Sequence, residues 1–150
     1  MLKLGLPVRE SALELLSMDK RIEPIDESYR GLPDVPAHFF DYTVTGNEPV
    51  VVRESLLPEV LRMGARTVER SMELFPPGMI GPFSLETIFS PGKGFTVFEI
   101  SARIVAGTNL YPMGSPYSAY LYKEPMSTGR RIAREISLGS ERGQLDRIVF

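Results

Sequence analysis

The chain has 150 residues, 43% of them apolar and 24% charged, and a net charge of −2. That length suffices for one domain with a real core, and no overall positive field points to nucleic acid or an anionic membrane surface. With no cysteine and a single histidine, His38, the chain excludes disulfides, cysteine zinc sites, thiol catalysis and a zinc site of several histidines. No apolar run approaches the roughly 18 residues of a membrane span, and the first residues lack a signal-peptide layout, which fits a cytoplasmic protein.

Met1–Val8 reads as a strand or entry loop. Arg9–Leu16, with Ala12, Leu13, Leu15 and Leu16 among charges, reads as a short helix. Ser17–Glu27 is irregular and charged, with Glu23 held extended by the following Pro24. Residues 31–38 form a Pro-rich loop that contains His38, a solvated loop residue. Phe39–Thr45 and Pro49–Glu54 are rich in β formers and suggest a hairpin around Gly46-Asn47, although Asn47-Glu48-Pro49 is not a standard two-residue turn.

Ser55–Phe75 is the clearest helix. Leu57, Val60, Leu61, Gly64, Val68, Met72 and Phe75 recur at three- and four-residue steps. Ser55 is the expected N-cap, Pro58 fits the first turn, and Pro76-Pro77-Gly78 ends the helix. Its apolar stripe suits a partner, but packing on the chain's own sheet is the commoner arrangement and the one expected.

Met79–Arg103 reads as two strands around the turn Ser90-Pro91-Gly92-Lys93-Gly94. With Pro91–Gly94 as a four-residue loop, Glu86 falls opposite Glu99. Alternation then gives Glu86, Ser84, Glu99, Ser101 and Arg103 one face, and leaves Phe83, Leu85, Phe98, Ile100 and Ile104 for the core. Carboxylates directly opposite lie about 5 Å apart at Cβ and repel. A bridging cation, a shared proton or plain solvation beside Lys93 and Arg103 would each relieve that. Solvation is the commonest outcome for an arbitrary pair. Here Ser101 and Arg103 extend the same face, and Mg²⁺ prefers one or two carboxylates plus phosphate oxygens, so the reading favours a metal–phosphate site.

Val105–Tyr122 is poor in charge and rich in Gly, Pro, Ser and Thr, with Tyr117, Tyr120 and Tyr122 close together. It suits either a small-molecule site or a compact surface loop held by its own tyrosines. Pro125–Phe150 reads as a helix capped by Ser127, with Ile132, Ala133, Ile136 and Leu138 on one side and Gly139 and Gly143 as possible interruptions. Two hairpins and two substantial helices predict an α+β domain, with helices on one face of an antiparallel sheet.

FEISARIVAGTN (Phe98–Asn109), preceded by PGMIGPFSLE (Pro77–Glu86), resembles the C-terminal half of an ATP-grasp ligase: an acid and, thirteen positions on, the first residue of an acid-x-polar-x-Arg run. LELLSMDKR (Leu13–Arg21), GNEPVVVRESLLPEVLRMG (Gly46–Gly64), GSPYS (Gly114–Ser118) and GRRIAREI (Gly129–Ile136) narrow this. In that order they resemble the archaeal formate-dependent 5-formaminoimidazole-4-carboxamide ribonucleotide synthetases of purine biosynthesis. The match covers essentially the whole chain, which would be the single C-terminal lobe, residues 1–150.

The resemblance implies roles. Glu86 and Glu99 would be ligands of Mg²⁺ or Mn²⁺, and Arg103 would reach the ATP phosphates. Ser101 stands where most ATP-grasp enzymes have asparagine. Glu23 would serve the ATP site. Asn47, Thr108 and Asn109 would hold the aminoimidazole carboxamide ribonucleotide, with Gly107, Ser115 and Tyr117 enclosing it. The implied partners are ATP, formate and that nucleotide, in a homo-oligomer. The family's glycine-rich loop and phosphate-gripping lysines have no counterpart in Met1–Glu27. The chain is thus expected to need an N-terminal half, or else to be a non-catalytic binding or assembly module.

Overall fold

A computed structural model describes residues 2–4, 12–23 and 44–148. His38 and the Pro-rich loop lie outside the described residues, as does most of Phe39–Thr45. The strands are β1 (Leu2–Leu4), β2 (Ala12–Glu14), β3 (Asp19–Ile22), β4 (Gly46–Pro49), β5 (Gly81–Pro82), β6 (Ser84–Ser90) and β7 (Gly94–Ser101). The helices are α1 (Leu57–Leu74), α2 (Pro116–Tyr122) and α3 (Thr128–Glu141). The α+β class is as expected, but the strands divide into three small antiparallel sheets, β2-β1-β5, β3-β4 and β6-β7, in place of one.

Two local expectations fail at the start of the chain. Residues 12–14 form a strand paired with β1, not part of a helix. Three leucines and an alanine among charges fit either period, and pairing with the strand before them decides. Gly46-Asn47 is not a hairpin turn, and Pro49–Glu54 is not a strand. Gly46–Pro49 is itself the strand, and it pairs with β3 in the register Asp19↔Pro49, Arg21↔Asn47.

α1 buries Val60, Gly64 and Val68, one residue per turn, while Leu61, Met72 and Phe75 stay exposed. Ser55 is not its N-cap. It lies inside a 3₁₀ turn, Glu54–Leu56, that runs into α1, so Leu56 takes the cap position without a side-chain bond. Pro58 sits in the first turn as expected. Glu59 Oε1, also in that turn, accepts from Phe95 N at 2.8 Å and ties α1 to the start of β7. Gly94 makes this approach possible: its φ is +80°, and a Cβ there would lie 2.4 Å from Glu59 Oε1.

The β6-β7 hairpin forms where expected, with a shorter turn. Ser90 pairs with Gly94 and Phe89 with Phe95, leaving a three-residue loop. A bulge between Glu86 and Thr87 takes up the difference, so Glu86 still pairs with Glu99, and Ser84 with Ser101. The proposed core face is only half a core face. Phe83 is buried, but Phe98 and Ile100 are 58% and 50% exposed, and Ile104 is exposed as well.

The segment after β7 is more ordered than a loop. Ala106–Leu110 is a 3₁₀ turn, and α2 is capped by a Ser115–Ser118 capping box. α3 starts at the expected cap, where Ser127 Oγ accepts from Arg130 N at 3.3 Å. Its buried face is not the apolar one. Arg131, Glu135 and Gly139 are buried, while Ala133 and Ile136 are exposed. Gly139 leaves the helix unbroken, and Gly143, at φ +62°, follows its end.

That buried face belongs to an ion-pair network. Arg131 Nε and Nη2 donate to Glu14 at 3.0 and 3.1 Å, and Nη1 donates to Glu135 Oε2 at 2.8 Å. Tyr122 Oη donates to Glu14 Oε2 at 2.6 Å. Burial and then the Glu14 hydrogen bond push the Tyr122 hydroxyl up to about 12. For Arg131, burial acts to lower the pKa, but the bonds to Glu14 and Glu135 outweigh it and hold the value above the ordinary arginine range.

Candidate functional site

Strand alternation builds the site. Asp19, Arg21 and Glu23 occupy every second position of the β3 segment, and Asn47 is paired with Arg21 on β4. Lys20, between Asp19 and Arg21, pairs with Glu48 at 3.5 Å. The face of Asp19 and Arg21 looks onto a cavity of about 720 Å³, which Lys20 also borders. Arg21, Asn47, Glu86 and Arg103 line it together, with Phe89 and Phe98 of the hairpin contributing apolar wall.

Arg21 joins two of the sequence-predicted residues. Its guanidinium bonds Glu86 Oε2 through Nη1 and Glu23 Oε1 through Nε. Glu23 thereby reaches the carboxylate pair although it does not line the cavity. Glu99 is exposed, and its Oε1 accepts from the buried Ser101 hydroxyl at 3.2 Å. Asn47 Nδ2 donates to Asp19 Oδ2 at 2.6 Å. Arg103 lines the cavity while its Nη1 donates to the Ile104 carbonyl at 3.0 Å.

The substrate residues expected from the 3₁₀ turn are not all at the cavity. Thr108 lines a smaller one of about 40 Å³ beside Arg103 and caps its own turn, with Oγ1 donating to the Val105 carbonyl at 2.7 Å. Asn109 is exposed and lines neither. Gly107 does line the larger cavity.

The tyrosine-rich stretch acts as a clamp. Tyr111 Oη accepts from Val50 N at 3.1 Å and donates to the Met18 carbonyl. Tyr117 Oη accepts from Val52 N at 2.8 Å. Ser115 Oγ donates to the Leu16 carbonyl. These bonds fix the segments on either side of the β3-β4 pair. Burial raises the Tyr111 pKa above its ordinary value, against the Val50 bond, which lowers it.

Asp19 and Arg21 were not singled out by the sequence reading. The available signal was the period-two run Asp19-x-Arg21-x-Glu23, opposite a strand carrying Asn47.

The donor set fits a hard cation of limited protein coordination. Glu86 and Glu99 face each other in register, and no group of three or more His, Cys, Asp or Glu occurs among the described residues. Two carboxylates make a poor all-protein cage but suit Mg²⁺ completed by phosphate oxygens and water.

The chain is 58% identical over 138 residues to a protein of Korarchaeum cryptofilum named 5-formaminoimidazole-4-carboxamide-1-(beta)-D-ribofuranosyl 5'-monophosphate synthetase, covering 92% of this chain and 38% of that one. A protein of the same name from Pyrococcus horikoshii is 52% identical, with 91% and 42% covered. The chain thus spans about two-fifths of the length of these relatives. The crystal structure of an IMP biosynthesis protein PurP from Thermococcus kodakaraensis superposes with a TM-score of 0.75 at 37% identity, covering 97% of this chain and 46% of that one. The resemblance carried by FEISARIVAGTN and its companion segments is borne out. A family model described as a domain of unknown function, DUF1297, matches residues 6–150, and the chain belongs to that family.

Proposed function

We propose that the chain is one lobe of an ATP- and Mg²⁺-dependent ligase, and that it works against a further nucleotide-gripping segment. The reaction is ATP + formate + aminoimidazole carboxamide ribonucleotide giving the formylated nucleotide, ADP and phosphate. A formate oxygen attacks the γ-phosphorus, ADP leaves, and formyl phosphate results. The substrate amine then attacks the formyl carbon, phosphate leaves, and the amine loses a proton.

The observation that carries this reading is the convergence of Arg21, Asn47, Glu86 and Arg103 on one cavity, together with the Glu86↔Glu99 register. Mg²⁺ held by Glu86 and Glu99 would neutralise charge across the β- and γ-phosphates. Arg103 is a fixed cation for the same oxygens. Asn47 supplies a directional contact to the nucleotide base, and Glu23, tethered by Arg21, serves the ATP side. Thr108 serves the smaller cavity, which shares Asp19 and Arg103 with the larger one, and Asn109, which lines neither, is left without a contact role. Phe89, Phe98 and Val60 would set an apolar wall beside the acyl phosphate.

Calorimetric titration of Mg·ATP into the chain, alone and with a complementary synthetase segment, tests this. Binding that requires Mg²⁺ is expected. Glu99→Ala should weaken it by more than about tenfold, since losing even an outer-shell partner of a metal costs that much. Absence of Mg·ATP binding in both arrangements would overturn the proposal.

A further inference from the structure

Asp19 is buttressed on two sides. Its Oδ2 accepts from Asn47 Nδ2 at 2.6 Å. Its Oδ1 lies over Gly107, where an added Cβ would come within 2.1 Å. All three residues line the 720 Å³ cavity. A carboxylate only accepts hydrogen bonds, so the Asn47 atom facing Asp19 has to be the NH₂ group. The amide of Asn47 is therefore polarised in one sense, with Nδ2 held by Asp19 and the carbonyl Oδ1 left for the cavity.

We infer that Asp19 is a specificity-determining positioning residue: through Asn47 it makes this point of the cavity a hydrogen-bond acceptor, so the ligand group seated there is an N–H donor. The inference rests on the reading of Asn47 as a nucleotide contact. Aminoimidazole carboxamide ribonucleotide carries two such donors, the ring amine and the carboxamide nitrogen. A ligand with only acceptors at that point would set oxygen against oxygen, and a site built to bond an N–H rejects analogues that lack it.

Asp19→Asn tests the sense of the dipole. An asparagine at 19 can donate its own NH₂ to Asn47 Oδ1, which turns Nδ2 toward the cavity and reverses the polarity. Three nucleotides serve as probes: the parent, its 4-carboxylate analogue without the amide N–H, and its analogue lacking the 5-amino group. Their affinities are measured by calorimetry in the arrangement that binds Mg·ATP. Wild type should prefer the parent over one analogue by about tenfold or more, the scale of a lost hydrogen bond to a buried group. In Asp19→Asn that preference should shrink to about twofold or invert. Asp19→Ala, which frees the Asn47 amide to rotate, should lose most of it too. Circular-dichroism melts establish that each variant is folded. A purely structural role for Asp19 would lower all three affinities by the same factor, and that result, or an unchanged preference, overturns the inference alone. If wild type binds none of the three nucleotides, the reading of the site falls with it.

Discussion

Arg21 on β3 reaches across to Glu86 on β6, and the same guanidinium holds Glu23. A cation of the protein thus stands against the carboxylate pair where a metal is proposed. The pair is repulsive only when Arg21 is ignored. The half-exposed guanidinium makes Glu86 tolerable beside Glu99 before any ligand arrives.

Removing that cation should favour a competing one. In Arg21→Ala, Mn²⁺ binding in the absence of nucleotide should strengthen by up to about fivefold, the value of a solvent-accessible ion pair of about 1 kcal/mol. Paramagnetic relaxation of water protons measures this directly. Weaker Mn²⁺ binding would mean that Arg21 orients Glu86 for the metal and does not compete with it.

Gly107 should resist substitution for a reason unrelated to backbone freedom. It accepts L-residue dihedrals, but a methyl group would strike the Asp19 carboxylate. Gly107→Ala should cost about 1–3 kcal/mol, as overpacking typically does, in a urea melt. It should also weaken nucleotide binding, because Asp19 and Asn47 move together. An unchanged melt would show that Asp19 yields freely.

The α3 network should be the most sensitive part of the fold. Arg131→Met leaves Glu14 and Glu135 buried without their cation, at a cost of about 3–5 kcal/mol. Chemical unfolding should show the loss, and replacing all three residues by apolar ones of similar volume should recover most of it. If the single variant melts like wild type, water reaches these carboxylates.

Stability should also fall at alkaline pH. The Tyr122 hydroxyl titrates near 10 in the unfolded chain and near 12 in the folded one. Between those values the unfolded state has released a proton that the folded state keeps. Unfolding therefore becomes easier as pH rises through this window. Tyr111, raised as well, adds to the slope. Urea midpoints at pH 8 and 11 should differ, and Tyr122→Phe should reduce the difference. An unaltered slope in that variant would assign the effect elsewhere.

Local signals made α1, the β6-β7 hairpin and the Ser127 cap legible from the sequence. Each depends on residues within a few positions of one another. The β3-β4 pair was misread because its partners are distant in the chain, Asp19–Ile22 against Gly46–Pro49, and β2 because Ala12, Leu13, Leu15 and Leu16 fit a helical stripe as well as a strand, so that only pairing with Leu2–Leu4 decides. The polar buried face of α3 was unreadable for the same reason: Arg131 answers to Glu14, 117 residues away. Of the site, the Glu86–Glu99 pair and Arg103 could be named from spacing and resemblance. Asp19 and Arg21, in a stretch taken as irregular, emerged only when β3 was seen to face the cavity.

The Glu86↔Glu99 pairing was expected from a four-residue loop and an unbroken ladder. The hairpin reaches it with a three-residue loop and one bulge. Both routes sum to the same offset between the strands. The pair is therefore a fixed point of the hairpin: a residue exchanged between turn and bulge changes the shape of the tip but not which carboxylates meet. Lys93 and its neighbours can vary in chemistry, and trade loop length against the bulge, as long as twelve residues separate Glu86 from Glu99.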